Sequence, residues 1–284
     1  MPYLGLLFNA FVWGLSWWPL RQLQAQGLHA VWATMLFFLM GVVVIGLGRR
    51  EAWRGLWRTP TLWWLALATG LTNASFNWGV ATGEVVRVVL LFYLMPLWAV
   101  GLAWWLLGER ITPMAAVRVL LALGGALLVL RPEDGGWPRF SGLPDWLGLI
   151  GGMGFAFTNV MLRRAAQRSS AERALAMFSG GVCLPGLAGW ALASQGLIPA
   201  WPVFDWGWLL LAAAMGLAFF AANLAMQYGA SQIPVHLTSV VMLTEIVFAS
   251  GSAVWFGGET LRPAVLAGGG LILLAALMAT RDEA

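Results

Sequence analysis

The chain has 284 residues, of which 60% are hydrophobic and 10% are charged, and its mean hydropathy is +0.79. Because soluble domains carry roughly a quarter charged residues, this composition excludes a soluble protein and indicates an integral membrane protein. The net charge of +4 comes from arginines in short connectors between apolar segments, which argues against nucleic acid as a partner. The single cysteine, Cys183, excludes a disulfide framework, and no sequence motif predicts a cofactor, a metal site or a catalytic residue.

Ten apolar segments follow one another along the chain, each about 20 residues long and therefore able to cross a bilayer as a helix. In chain order they lie near residues 3–22, 30–48, 61–83, 86–107, 113–130, 145–164, 173–194, 206–229, 234–257 and 263–280. The segments are too continuously apolar for the alternating pattern of a membrane barrel. The sequence therefore predicts an all-α integral membrane protein with ten transmembrane helices.

The second half of the chain repeats the first. The hexad Gly-Glu-Arg-Ile-Thr-Pro at residues 108–113 returns as Gly-Glu-Thr-Leu-Arg-Pro at residues 258–263, an offset of 150 positions. The same offset pairs Asn73 with Asn223. We therefore predict one repeat over residues 1–134 and a second over residues 143–284. Five helices per repeat is an odd number, so the two repeats are inverted in the membrane, an arrangement typical of secondary transporters.

The distribution of arginines predicts the orientation. Ten arginines lie on the side that holds both termini and five lie on the opposite side; Arg118 is left out because it lies inside the fifth helix. By the positive-inside rule, both termini are predicted to lie in the cytoplasm.

A helix that contains Leu94-Met95-Pro96-Leu97 is followed by Gly-Glu-x-x-x-Pro and a closing helix rich in Gly, Ala and Leu. This module resembles the EamA repeat of the drug/metabolite transporter superfamily, and the resemblance covers the whole chain as two five-helix repeats. Within that group the chain is most similar to bacterial aromatic amino acid exporters. The resemblance implies a multi-pass transporter of the bacterial inner membrane that exports aromatic or large neutral amino acids; it assigns no oligomeric state.

Proline and glutamate distinguish the two copies of this module. Pro96 removes a backbone hydrogen bond and predicts a hinge in the fourth helix, whereas the second copy reads Thr244-Glu245-Ile246 there and predicts no matching kink. A carboxylate such as Glu245 near the middle of a membrane helix is costly and commonly handles protons or cations. The alternative is a neutral acid that bonds to a neighbouring helix.

The glutamates of the two hexads, Glu109 and Glu259, lie at helix ends. They are predicted to cap the helices that begin at Pro113 and Pro263, with a gate or ion role as the alternative.

Amides and aromatic side chains are predicted to line a central cavity. Asn73 with Asn77, and Asn223 with Gln227, form i, i+4 pairs that place two amides on one helix face. Such a face avoids lipid, and interhelical hydrogen bonding is the alternative. For the tryptophans of the predicted set, the alternative to cavity lining is a location at the membrane interface. The rest of the predicted substrate-binding set is Asn9, Trp13, Trp17, Trp78, Tyr93, Asn159, Tyr228 and Glu245.

Two other functions remain open. A cavity with one carboxylate among tryptophans also suits lipophilic or quaternary cations and other small metabolites, whereas phosphorylated substrates would require clustered basic residues. A membrane enzyme or a scaffold is the alternative from outside transport, although the chain shows no catalytic constellation. The sequence therefore predicts a small-molecule transporter and no enzyme.

Overall fold

The computed structural model describes residues 2–108, 112–132, 134, 136–230, 232, 238 and 241–281. The structure is 82% helix, and no strand occurs within these ranges, which confirms the predicted all-α class. The helices in chain order are α1 (Pro2–Leu15), α2 (Trp17–Ala25), α3 (Ala30–Gly48), α4 (Glu51–Arg58), α5 (Pro60–Thr82), α6 (Val85–Phe92), α7 (Met95–Leu102), a π-helical turn (Ala103–Leu107), α8 (Pro113–Val129), α9 (Leu143–Arg164), α10 (Ser170–Ser194), α11 (Trp206–Ala230), α12 (Thr244–Gly257) and α13 (Pro263–Arg281).

Four described helical stretches are long and apolar enough to cross a membrane: Ala30–Gly48, Val85–Leu106, Ser170–Ser194 and Trp206–Met226. Two shorter apolar helices, Pro113–Val129 and Pro263–Met278, are close to that length. These helices support a multi-pass membrane protein. They do not by themselves establish ten crossings, which stay a prediction.

Local sequence explains where several helices begin. Ser169 and Glu172 form a capping box at the start of α10: the Ser169 hydroxyl accepts from the Glu172 amide, and the Glu172 carboxylate accepts from the Ser169 amide. Thr112 accepts from the amide of Ala115 and caps α8, whose first residue is a proline. These caps satisfy amides that have no partner inside the helix.

The first predicted segment is two helices rather than one. α1 ends at Leu15 and α2 begins at Trp17, and the Ser16 hydroxyl between them donates to the carbonyl of Trp13. Pro19, in the first turn of α2, lacks the N–H that a continuous helix would use at that position. A bond between a serine side chain and its own helix, followed by a proline, explains the break.

The fourth segment is interrupted in both halves of the chain. α6 ends at Phe92 and α7 begins at Met95, directly before Pro96, while in the second half α12 begins at Thr244. A kink in the second half was not predicted, because that copy lacks the proline. There the Thr244 hydroxyl donates to the carbonyl of Val241 at 2.6 Å, so a side chain competes with backbone amides for this acceptor.

Contacts between helices recur in matching pairs. α5 packs against α9 and α10, and the corresponding helices α11, α1 and α3 pack in the same way. A Cβ atom on Gly229 would lie 2.7 Å from the carbonyl oxygen of Pro2, and one on Gly79 would lie 3.5 Å from that of Pro144. Pro2 and Pro144 therefore occupy equivalent positions in the two halves. They are separated by fewer positions than the glycines that face them, which are 150 positions apart.

The connectors gather at two opposite ends of the helices. At the first, α4 packs against the start of α10, and Arg164 donates to the carbonyl of Leu106. At the second, Arg21 donates to the carbonyl of Gly83 at 2.6 Å. We call the first the α4 end, formed by residues 49–59, 103–108 and 165–169. We call the second the Arg21 end, formed by residues 26–29, 83–84, 136–142, 195–205 and 258–262.

One buried ion pair fixes the Arg21 end. The guanidinium of Arg87 in α6 donates to both carboxylate oxygens of Asp145 in α9, at 2.8 Å each. It also donates to the carbonyls of Val129 and Arg139. Because the Arg87 side chain links α6 to α8, α9 and a connector, this pair stabilises their packing at the Arg21 end.

Candidate functional site

A cavity of about 780 Å³ lies at the centre of the described helices. α1, α3, α5, α6, α9, α10, α11 and α12 all contribute to its wall, so both halves of the chain form it. The two charged residues among its described lining are Arg173 and Glu245. Its aromatic lining residues are Trp13, Phe38, Phe76, Phe92, Tyr93, Phe155 and Phe178. Its uncharged polar lining residues are Asn9, Thr69, Thr72, Asn73, Thr158, Asn159, Ser170, Asn223 and Thr238.

The aromatic side chains form one connected wall. The ring centroid of Phe76 lies 6.2 Å from that of Trp13 and 4.8 Å from that of Phe92, and Phe92 lies 5.6 Å from Phe155. Distances of this size, with tilted or edge-to-face rings, are favourable for aromatic pairs. The wall therefore offers a rigid apolar surface to a ligand.

Glu245 and Tyr93 join the two interrupted helices across the cavity. The Tyr93 hydroxyl donates to Oε2 of Glu245 at 3.1 Å, and the two residues are 4% and 8% exposed. Glu245 was predicted near the middle of a helix over residues 234–257. The described helix α12 begins at Thr244, so the carboxylate lies in the first turn, where the helix dipole favours a negative group.

The amides of the cavity differ in their hydrogen bonds. Asn73 donates to the carbonyl of Thr69 at 2.7 Å, and Asn223 donates to that of Phe219 at 3.0 Å, each one turn earlier in its own helix. Asn9 has no hydrogen-bond partner for either side-chain atom among the described residues. Of these three amides, two bond to their own helix and Asn9 does not.

Seven members of the predicted substrate-binding set line this cavity, on helices from both halves of the chain. They are Asn9, Trp13, Asn73, Tyr93, Asn159, Asn223 and Glu245.

The structure places four other members of that set outside the described lining. Asn77 is fully buried and donates to the Thr34 hydroxyl at 3.0 Å, which is the interhelical bond weighed as the alternative. Four residues advance a helix by about 6 Å, and this carries Asn77 past the cavity to α3. Trp78 packs edge-on against His29, with 5.1 Å between ring centroids.

Trp17 and Tyr228 also lie away from the cavity. Trp17 is buried, donates its indole N–H to the Ser252 hydroxyl at 2.9 Å and packs beneath the Arg21 guanidinium. Tyr228 is 52% exposed on the surface of α11. Gln227 belongs to α11, and its side chain lies outside the described residues. Pro96 is buried at the start of α7, directly after the predicted break.

Sequence reasoning missed all five phenylalanines among the described lining residues. Among many apolar residues, a phenylalanine that faces the cavity has no feature that separates it from one that faces lipid. The structural correspondence between Pro2 and Pro144 assigns Trp13 and Phe155 to equivalent positions of the two halves, and both line the cavity. The sequence offset of 150, which fits the rest of the chain, conceals this pair.

Hydrogen bonds close the Arg21 end. The carboxylate of Glu259 accepts from the amides of Val85 at 2.7 Å and Val86 at 3.2 Å, and Arg21 lies 3.5 Å from the same carboxylate. Glu259 was predicted to cap the helix that begins at Pro263. That prediction was wrong, because the carboxylate instead caps α6 in the other half of the chain. Glu109, its counterpart, lies outside the described residues.

The opposite end of the cavity reaches the surface. Ser170 and Arg173, in the first turn of α10, line it at the α4 end, and Asn159 nearby is exposed. As formed by the described residues, the cavity is therefore accessible from the α4 end and closed by cross-half contacts at the Arg21 end.

Comparison with known proteins matches the chain to the EamA-like transporter family over residues 1–131 and again over residues 142–281. A Pseudomonas aeruginosa protein named chloramphenicol-sensitive protein RarD is 29% identical over 94% of this chain and 87% of its own. Protein RarD of Streptomyces exfoliatus is 29% identical over 98% and 88%. An uncharacterized transporter of Archaeoglobus fulgidus is 27% identical over 78% and 77%. A protein of known crystal structure shares the fold, with a TM-score of 0.56 and 21% identity over 99% and 96% of the two chains.

Proposed function

We propose, because the chain belongs to the EamA-like transporter family, that it exports amino acids with aromatic or large neutral side chains across the bacterial inner membrane. Family membership makes the protein a membrane transporter of a small molecule. The substrate class and the direction of transport are the proposal.

The composition of the cavity wall is the observation that carries the substrate class. Aromatic rings suit an apolar side chain of the substrate, and amides such as Asn73 and Asn223 can donate and accept at its polar head group. Glu245 supplies a carboxylate for an ammonium group. The cavity volume of about 780 Å³ lies within the range of small-molecule sites.

Alternating access explains the matched halves. We propose ten transmembrane helices in two inverted repeats, over residues 1–134 and 143–284. The paired helix contacts and the paired interruptions before Met95 and at Thr244 support this topology. Exchanging the conformations of two such halves converts a cavity open to one side into one open to the other.

The arginine-rich connectors assign the sides of the membrane in this proposal. Arg54, Arg58 and Arg168 lie at the α4 end, so the positive-inside rule places that end, with both termini, in the cytoplasm. The structure then represents a state accessible from the cytoplasm, from which an exported substrate enters.

Efflux of lipophilic cations is the second candidate. Glu245 is the acidic residue among the described lining, and aromatic faces attract cations that have lost their water. This candidate shares the cavity and the alternating-access cycle with the first. The two differ in whether the substrate needs the amides.

A liposome experiment tests the proposal. Purified protein is reconstituted, and uptake of labelled L-phenylalanine, L-tryptophan, L-leucine, L-aspartate, glucose and tetraphenylphosphonium is measured with and without a pH gradient. We expect uptake of the three large neutral amino acids above that of aspartate and glucose. Preference for aspartate or glucose contradicts the substrate class, and uptake of tetraphenylphosphonium alone favours cation efflux. Turnover or partner binding without any flux points to a membrane enzyme or a scaffold.

A further inference from the structure

Asn9 stands apart from the other amides that line the cavity. It is 1% exposed, and neither its Nδ2 nor its Oδ1 has a hydrogen-bond partner among the described residues. A buried amide in this state is unfavourable for folding, because it has given up its hydrogen bonds to water without replacement. Such a group in a native structure requires an explanation other than stability.

The Asn9 side chain does not bond to the backbone carbonyl that its own helix offers. Asn73 and Asn223 each bond to the carbonyl four residues earlier in the same helix, and the equivalent acceptor for Asn9 is the carbonyl of Gly5. Asn9 leaves that position and lines the cavity instead. Among the described residues, its donor and its acceptor are therefore both unused at the cavity wall.

An aromatic surface lies next to this amide. Trp13 follows Asn9 by four residues, so both lie on one face of α1, about 6 Å apart along the helix axis. The ring of Trp13 is held by Phe219 at 4.4 Å and Phe76 at 6.2 Å between centroids. A polar head group at Asn9 thus places the side chain of the same molecule against the aromatic wall.

We infer that Asn9 is the specificity-determining residue that binds the head group of the transported amino acid, an inference that rests on the function proposed above. The amide donates through Nδ2 and accepts through Oδ1, so it can bond to the carboxylate and the ammonium group of one zwitterion. A quaternary ammonium or phosphonium ion has neither a donor nor an acceptor for it. Asn9 therefore separates the two candidate substrate classes.

Replacement of Asn9 by leucine, which is similar in size and apolar, tests the inference through two measurements. The unfolding temperature of the ligand-free protein is expected to rise, because two buried polar atoms without partners are removed. The initial rate of L-phenylalanine uptake into liposomes is expected to fall by about tenfold or more. L-Phenylalanine should raise the unfolding temperature of the wild type and not that of Asn9→Leu.

Asn77→Leu is the matched control. Asn77 is also a fully buried amide on a cavity helix, but it lies outside the described lining; its Nδ2 donates to Thr34, and only its Oδ1 has no described partner. This variant should lower the unfolding temperature and leave the KM for L-phenylalanine unchanged. The opposite directions of the two temperature shifts separate binding from structure.

Each other result counts against the inference. A lower unfolding temperature for Asn9→Leu, or failure of both Asn9→Leu and the smaller Asn9→Ala to fold, assigns the amide a structural role. Unchanged L-phenylalanine uptake in a folded variant overturns the inference and leaves the proposed function intact. A wild-type protein that moves no amino acid overturns the proposed function first, and the inference with it.

Discussion

The carboxylate of Glu259 accepts a hydrogen bond from the backbone amide of Val85, 2.7 Å away, although the two residues lie in opposite halves of the chain. The amide of Val86 donates to the same carboxylate at 3.2 Å. Both amides belong to the first turn of α6, where a helix has no internal acceptors and its dipole favours a negative charge. The second copy of the hexad therefore closes the Arg21 end by capping a helix of the other half of the chain.

Replacement of Glu259 by glutamine should weaken this closure. The neutral amide loses the ion pair with Arg21 and a charge-assisted cap, and caps contribute about 0.5–2 kcal/mol to stability. We expect a lower unfolding temperature in detergent. Glu84→Gln is the control, because Glu84 precedes the same helix, is exposed and makes no side-chain cap bond. Equal losses for both variants would show that the cross-half cap contributes nothing.

The bond between Tyr93 and Glu245 predicts coupled effects on transport. Glu245→Gln retains the shape of the side chain and removes its ability to carry a charge, so L-phenylalanine uptake should fall and its pH dependence should change. Tyr93→Phe removes a single hydrogen bond, which contributes about 0.5–1.5 kcal/mol, and should have a smaller effect. Because the residues are in contact, the double variant should deviate from additivity. Full activity of Glu245→Gln with an unchanged pH profile would exclude a role in coupling.

His29 predicts a pH dependence of stability. Its Nδ1 accepts from the amide of Val31 at 3.4 Å and caps α3, and burial lowers the pKa of the imidazole below 6.5. Because the folded protein lowers this pKa, the folded state binds fewer protons at His29 than the unfolded state does. The resulting loss of folding stability is absent above pH 6.5 and grows as the pH falls below that value. The unfolding temperature of the wild type should therefore fall between pH 7 and pH 5 more steeply than that of His29→Asn, which keeps a cap that does not titrate. Parallel curves would contradict this prediction.

The crossing of α5 and α10 depends on a glycine. A Cβ atom on Gly180 would overlap the carbonyl oxygen of Ala66, whereas one on Gly251 in α12 would meet no atom within 4 Å. Gly180→Ala should therefore cost about 1–3 kcal/mol by forcing the helices apart. Gly251→Ala should be neutral or stabilising, because alanine favours the helix by up to about 1 kcal/mol. Comparison of expression levels and unfolding temperatures of the two variants tests this difference.

Sequence reasoning was most successful where an unusual residue type carries the information. A carboxylate such as Glu245 in an apolar segment has few tolerable locations, and it does line the cavity. The same reasoning could not separate Asn73 from Asn77, because both positions avoid lipid and only the packing of α3 decides which amide meets Thr34. The partner of Glu259 was out of reach for a similar reason, since a carboxylate at a helix end caps whichever amides the tertiary structure brings to it.

The cross-half cap leaves the first half of the chain incomplete when it stands alone. The amides that begin α6 are satisfied by a glutamate encoded about 170 codons later, so a chain that ended after the first repeat would leave them uncapped. Because the glutamate and the amides that it caps belong to one polypeptide, they are always present one to one. The two halves nevertheless differ in sequence, as Met95 in one and Glu245 at the matching position of the other illustrate.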